Sequence, residues 1–369
     1  MMKSHSIAGK TAIVALACVG LIGASGCSEG IVDTSSGGNV TLQFASFLPK
    51  GHPYSQWYLD WADEITEATD GRVTFDNYFS GSLYNGPDMT SAVIDGQVDL
   101  AQPNTNYTPE KFPLSELVSV PYATPSVGAA MEALTDLYAN YEPYTEEFDK
   151  NGVIPLQFQP TGTNVLGSSI PLPDADSIDG ARVRSASYFA KALQNLGGNA
   201  ISMPLSDVYQ SMQTGLIDAW MTPMENTDQY NLGEVTTHIQ DPGMGPTSLS
   251  AILMNKDTFE SLTDADQKAL LDISARYNEG FIDLLNEIDE DTCESMADSD
   301  IILDAWDDAT IEKSQERLAD SMLDAYSQDA TAAGAEPEGF IKKWQSYQSG
   351  YDGSHGEYVG SVATCLAAK

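Results

Sequence analysis

The segment SIDGARVRSAS, residues Ser177–Ser187, carries Arg182 and Arg184, two of the five arginines in a chain of 369 residues with formal net charge −37. A guanidinium presents its donors in a planar fork that matches the two oxygens of a carboxylate. Two residues apart on a strand, both side chains face the same way, and Arg184 lies nearer the carboxyl end. Ligands of open α/β sheets bind beyond the carboxyl ends of strands, so Arg184 is set to reach a cleft. Arg182 is set to pair with nearby acids such as Asp176 or Asp179. From these residues alone, two readings of Arg184 stay equally open. One is a clamp for an anion in a cleft; the other is a surface ion pair, worth about 0–1 kcal/mol.

Other chemistry is sparse. No HExxH, Walker A or GxGxxG pattern occurs, which removes the commonest metal, phosphate and dinucleotide signatures. Past the first residues the histidines are His52, His238 and His355. His52 sits in a Pro/Gly loop after the first strand, where a capping or solvated role is expected. The four cysteines show no CxxC or zinc-like spacing, so neither a metal nor a cofactor is expected. Carboxylate pairs abound among 54 acids, and an exported enzyme using them stays open on composition.

The elements that must position Arg184 read as α/β. VTLQFAS (Val40–Ser46) alternates as a strand. Tyr54, Trp57, Trp61, Ile65 and Ala68 recur at helical spacing as core residues, and Gly71 ends that helix. RVTFDNYF is a second strand. GPDMTSAVIDGQVDLAQ gives a helix with Pro87 near its start, a Gly96 stop and a third strand. The strand–helix alternation marks a parallel, doubly wound sheet. A helix and the strand VIPLQFQ follow. A second series opens near Thr161, with ARVRS, NAISM and LIDAWM as strands between helices, and SLSAILMN beyond. Thr263 caps a helix running from Asp264 to about Met296. At 1.5 Å per residue it spans about 45–50 Å, enough to cross two lobes.

The two ends carry separate signals. Lys3 and Lys10 precede the apolar run TAIVALACVGLIGASG, which reads as an export signal over residues 1–26. Ala24, Ser25 and Gly26 before Cys27 resemble the bacterial lipobox, which makes Cys27 a lipidation site, followed by a polar tether over 27–39. Losing residues 1–26 removes two lysines and no acid, so the exported chain is more acidic still. Such a surface excludes nucleic-acid binding. It repels anions at long range, so an anion site needs its own local cation. Cys293 and Cys365 remain, and in an exported protein a disulfide between them is favoured over two buried thiols.

Several segments in order resemble the extracytoplasmic solute-binding proteins of tripartite ATP-independent periplasmic (TRAP) transporters, the family of the dicarboxylate-binding proteins. They are LQFASFLPKGHPYSQ, GRVTFDNYFSGSLYNGPDM, VIDGQVDLA, IDGARVRS, MPLSDVYQSMQTGLIDAW and MNKDTFESLTDADQKAL. The resemblance runs from Val40 into the long helix and weakens after about Asp300. It implies a periplasmic-binding-protein-like α/β fold: two lobes, a ligand cleft and a long helix crossing both. Lobe I is expected over 40–160 plus about 250–290. Lobe II is expected over 161–249 plus C-terminal helices about 291–369. The resemblance further implies that Arg184 holds an organic acid's carboxylate, and that the protein delivers this ligand to a sodium-driven TRAP permease as a monomer, not an enzyme. Asn164 stands where sialic-acid-type members carry a second Arg, Thr222 where Asn is frequent, and Leu205 where an aromatic is frequent. Asn104, Phe47, Ser187 and Trp220 complete the expected ligand contacts, with Tyr107 nearby. One cation among neutral and apolar groups favours a small monocarboxylate over a dicarboxylate or a sugar acid. A sensory protein presenting a ligand to a membrane kinase has the same binding domain. The lipid anchor places the chain on the outer face of the cytoplasmic membrane or in the periplasm.

Overall fold

In a computed structural model, which describes residues 38–368, the chain forms two α/β lobes flanking a cleft. The export signal, Cys27 and nearly all of the tether lie outside those residues. The first series is β1 (Val40–Ser46), α1 (Pro53–Ala68), β2 (Val73–Tyr78), α2 (Gly86–Ile94), β3 (Leu100–Gln102), α3 (Val127–Asn140), α4 (Glu142–Lys150) and β4 (Val153–Pro160). The second is β5 (Asn164–Ser168), β6 (Arg182–Arg184), α5 (Ser187–Asn195), β7 (Asn199–Ile201), α6 (Val208–Gln213), β8 (Ala219–Pro223), α7 (Asn226–Gln229) and β9 (His238–Asp241). The chain then returns through β10 (Leu249–Asn255), α8 (Lys256–Ser261), α9 (Asp264–Glu279), α10 (Phe281–Met296), β11 (Ile302–Ala305), α11 (Asp308–Ala332), α12 (Pro337–Gly350) and α13 (Ser361–Ala367).

The lobe I sheet has strand order β2-β1-β3-β10-β4, and the lobe II sheet β11-β9-β5-β8-β6-β7. Neither is wholly parallel, as the strand–helix alternation suggests. β1, β2 and β3 are parallel, but β10 runs antiparallel to β3 and β4. β5 likewise runs antiparallel to β8 and β9. The cause is the passage between lobes. The chain leaves lobe I through β4 into β5 and comes back into β10, so the outgoing and returning segments run side by side in opposite directions. They stay bonded through the crossing: Thr161 N–H donates to the Ser248 carbonyl at 3.0 Å, and Asn164 N–H to the Gly245 carbonyl at 3.0 Å.

The long helix is capped by Thr263, whose side chain accepts from the Asp266 N–H. It divides at Gly280 into α9 and α10. Trp57, whose ring meets that of Tyr277 at a tilt with centroids 4.6 Å apart, packs against the break, 3.4 Å from where a Gly280 Cβ would stand, an ordinary contact distance. α9 is held to lobe I by Trp61 Nε1 donating to Ser274 Oγ at 3.1 Å and by Arg72–Asp266. α10 reaches the lobe II core, where Met296 packs with Trp220 and Ile239. The pair therefore crosses both lobes. Cys293 on α10 and Cys365 on α13 are bonded, closing a loop of sequence separation 72.

The C-terminal helices, all placed with lobe II from sequence, divide between the lobes. α12 packs on α3 and α4 of lobe I: Trp344 Nε1 donates to the Ala123 carbonyl at 2.9 Å, and Phe340 lies 4.9 Å from Tyr144 between ring centroids. α11 bonds lobe II through Lys313–Asp176, and Tyr326 donates to the lobe I carbonyl of Leu114. α13 stays with lobe II, its Val362 and Cys365 joining the Trp220 cluster. The apolar faces of α11 and α12 are long enough to bridge, which composition alone does not show. No helix among the described residues is long and apolar enough to cross a membrane.

Candidate functional site

β6 is three residues long, with Arg182 exposed at its start and Val183 and Arg184 buried. The two arginines meet different partners. Arg182 pairs with Asp218, beside β8, not with Asp176 or Asp179 as expected; its Nε is 2.9 Å from Asp218 Oδ2. Strand neighbours across β6 and β8 come closer than acids along the chain, and Asp176 is bound to Lys313. Arg184 is 6% exposed at the strand's carboxyl end. Nε donates to the Met203 carbonyl at 3.2 Å and Nη1 to the Met221 carbonyl at 3.1 Å. Arg72, Arg182 and Arg276 each pair with a carboxylate, and Arg317 bonds the Asn195 carbonyl. Arg184 has no carboxylate within 4.0 Å among the described residues. Burial lowers its pKa, while the nearby Tyr107 and Tyr230 oppose that; a guanidinium stays charged through such shifts.

Arg184 lines a cavity of about 60 Å³ between the lobes. At roughly 10–15 Å³ per water, that is room for about four to six water-sized bodies, so the site suits a compact ligand. Of the residues singled out from sequence, Phe47, Asn104, Tyr107, Leu205 and Thr222 also line it. Phe47 and Tyr107 meet edge to face, with ring centroids 5.9 Å apart. Asn104 Nδ2 donates to Ser248 Oγ at 2.8 Å, tying lobe I to the returning strand. Thr222 Oγ1 accepts from Asn226 Nδ2 at 3.2 Å.

Three expected contacts lie outside the wall. Trp220 is fully buried, donates from Nε1 to Thr236 Oγ1 at 2.9 Å, and lies over Gly167. A Cβ on Gly167 would stand 2.0 Å from Trp220 Cζ2; the indole fills a slot that only glycine leaves, in the lobe II core. Ser187 follows the cavity residue Ala186 but has φ +49, and its Oγ donates to Glu116 Oε2 of lobe I at 2.9 Å. Asn164 is fully buried, pairs in register with Pro223, and leaves both side-chain polar atoms without a partner.

The wall also contains His52, whose loop after the first strand can face a cleft, and residues that sequence reading passes over: Thr161, Glu225, Asn226, Thr247, Ser248 and Ser250. His52 Nδ1 accepts from the Tyr54 N–H at 3.2 Å, capping α1. Burial lowers its pKa to about 4, against the Asn226 side-chain hydrogen bond, so the ring is neutral near pH 7. Thr161, Thr247, Ser248 and Ser250 belong to the two crossing segments. Ser248 and Ser250 alternate with Leu249 and Ala251 at the start of an apolar strand, a signal that one face there meets polar space. Glu225 follows β8 and is 5% exposed. Burial and then Asp289 raise its pKa to about 8, against its own backbone N–H.

The family model for bacterial extracellular solute-binding proteins, family 7, matches residues 44–329. Ectoine-binding periplasmic protein TeaA of Halomonas elongata is 21% identical over 313 residues, 78% of this chain and 92% of the relative. A TRAP solute-binding protein from a marine metagenome, in complex with 3-hydroxybenzoate, has a TM-score of 0.78 at 20% identity, covering 85% of this chain and 99% of that one. A TRAP periplasmic solute-binding protein from Bordetella bronchiseptica, with bound (R)- and (S)-mandelate, has a TM-score of 0.74 at 24% identity, covering 85% and 100%. With two lobes, a cleft between them and a match over most of its length, the chain belongs to the family 7 bacterial extracellular solute-binding proteins, those of the TRAP transporters.

Proposed function

We propose that the chain captures a small organic acid between its lobes and delivers it to the membrane permease of a TRAP transporter. One observation carries this reading. Arg184 is a buried cation without a carboxylate partner, and it lines the interlobe cavity. An unpaired buried charge is costly; an incoming carboxylate supplies the missing partner. The same cost rejects ligands lacking that group. The two solved relatives support the class, because 3-hydroxybenzoate and mandelate are both carboxylates. The cavity's size supports a compact acid.

Thr161, Thr247 and Ser248 lie both on the crossing segments and on the wall, so ligand contact and lobe closure act on the same backbone. Closure is a hinge motion of the two lobes, and the closed monomer is the form that docks on the permease. Lipid on Cys27 holds the chain at the membrane, and the tether lets the lobes reach the permease. A thermal-shift screen of organic acids, followed by calorimetry of the best hit on the wild type and on Arg184→Ala, tests the binding step. Tight binding that depends on Arg184 supports it. Turnover of the bound acid to a product overturns it in favour of an enzyme.

A further inference from the structure

We propose that Glu225 is the second charged anchor of the cleft, and that the ligand is a zwitterion: a small carboxylate that also carries a protonated amine. This rests on the reading of Arg184 as the carboxylate clamp. Glu225 lines the same cavity as Arg184 and is 95% buried by its 5% exposure. Among the described residues, no lysine, arginine or side-chain donor of another residue bonds its carboxyl. Both charged-type side chains of the cavity therefore lack an oppositely charged partner among the described residues. Each is of the kind that folding retains only at a cost.

The surroundings of Glu225 offer no cation. Asp289 faces it from α10, Tyr54 from α1, and Tyr358 from the segment before α13. His52, on the loop before α1, is neutral and bonded to Asn226. With burial and Asp289 against ionisation, the empty site holds a protonated carboxyl near pH 7. A simple anion leaves it so and gains one charged contact. A zwitterion gains two: its carboxylate meets Arg184, and its ammonium meets Glu225. The second contact ionises Glu225, which passes its proton to the buffer while the ligand ammonium keeps its own. With a pKa of about 8 in the empty site, close to one proton leaves per ligand at pH 7.

The probes are cyclohexanecarboxylate and its ring-nitrogen counterparts, piperidine-3- and piperidine-4-carboxylate, which match it in shape. Calorimetry at pH 7 in two buffers of different ionisation enthalpy reads affinity and proton release together. The wild type is expected to bind at least one piperidine acid tenfold or more tighter than cyclohexanecarboxylate, releasing close to one proton. In Glu225→Gln that preference is expected to fall at least tenfold and proton release to vanish. The wild-type proton count stands even if the variant folds poorly. Cyclohexanecarboxylate binding that depends on Arg184 and equals or exceeds that of both piperidine acids overturns the Glu225 proposal alone. So does piperidine-acid binding without proton release. Binding of no acid in the set, or equal binding by Arg184→Ala, overturns the clamp and this proposal with it.

Discussion

Replacing Arg184 separates binding from folding. Two of its five N–H groups serve the Met203 and Met221 carbonyls, and the rest of the fork faces Tyr107 and the cavity. Arg184→Ala removes a fully desolvated charge pair, a loss of about 2–5 kcal/mol. That is about a 30- to 4,000-fold rise in Kd. Arg184→Lys keeps the charge but not the fork, and is expected to fall between the two. Effects on the empty protein oppose one another. Two carbonyls lose a donor, about 1–3 kcal/mol each if they stay dry, while a buried unpaired charge disappears. The net change in stability is expected within about 2 kcal/mol. Calorimetry with the best acid from the screen reads Kd directly, and melting reads it by linkage. At a ligand concentration of 100 Kd the wild type gains about 2.7 kcal/mol. A variant weakened a hundredfold gains about 0.4 kcal/mol at the same concentration. Arg184→Ala binding within threefold of wild type, with a normal melt, would refute the reasoning.

Three further outcomes are expected. Reducing Cys293–Cys365, or Cys365→Ser, frees a closure of sequence separation 72; the chain-entropy model puts the loss at up to about 4 kcal/mol, and an unchanged melting temperature with reductant contradicts it. Gly167→Ala drives a Cβ to 2.0 Å from the Trp220 ring, so the lobe II core must shift; a loss of about 1–3 kcal/mol is expected by denaturant titration, and a neutral result means that the indole has another place to go. Glu225 holds its proton in the folded state up to a pKa of about 8, well above the ordinary carboxylate value. Its contribution is fully present below the ordinary value and is lost as pH rises through 8. Glu225 is therefore expected to lower stability from pH 6.5 to 8 by up to about 1.4 kcal/mol per pH unit; Glu147, which burial also pushes up to about 8, adds a slope of the same sign, so Glu225→Gln is expected to reduce the slope by about half. Below pH 6.5, His52, lowered to about 4, acts in the opposite direction. A wild-type curve flat from pH 6.5 to 8 contradicts the assignment.

Arg184's place at the cleft was legible because three local facts agreed: a scarce residue type, a strand and its carboxyl end; they left an anion clamp and a surface ion pair equally open, and the family resemblance is what pointed to the clamp. Thr263 was legible as a cap because capping is settled within four residues. Arg182 shows the limit, since Asp218 lies 36 residues away and becomes a neighbour only when β6 and β8 pair. Trp220 shares its strand face with Thr222, yet Gly167 on β5 decides that the ring sinks into the core. Glu225 and Ser248 escaped for the same reason. Nothing near them along the chain distinguishes a cavity wall from a solvated loop, and the cavity exists only where seven separate stretches of chain converge. The C-terminal helices divided between lobes because α12 finds its apolar partner on α3, some two hundred residues earlier.

The identity of the molecule that stays with the purified protein bears most directly on the guanidinium's role. Native mass spectrometry of protein purified without denaturation is expected to show one small acid per chain, and none on Arg184→Ala. A bound molecule with no acidic group, held equally by both proteins, would contradict it.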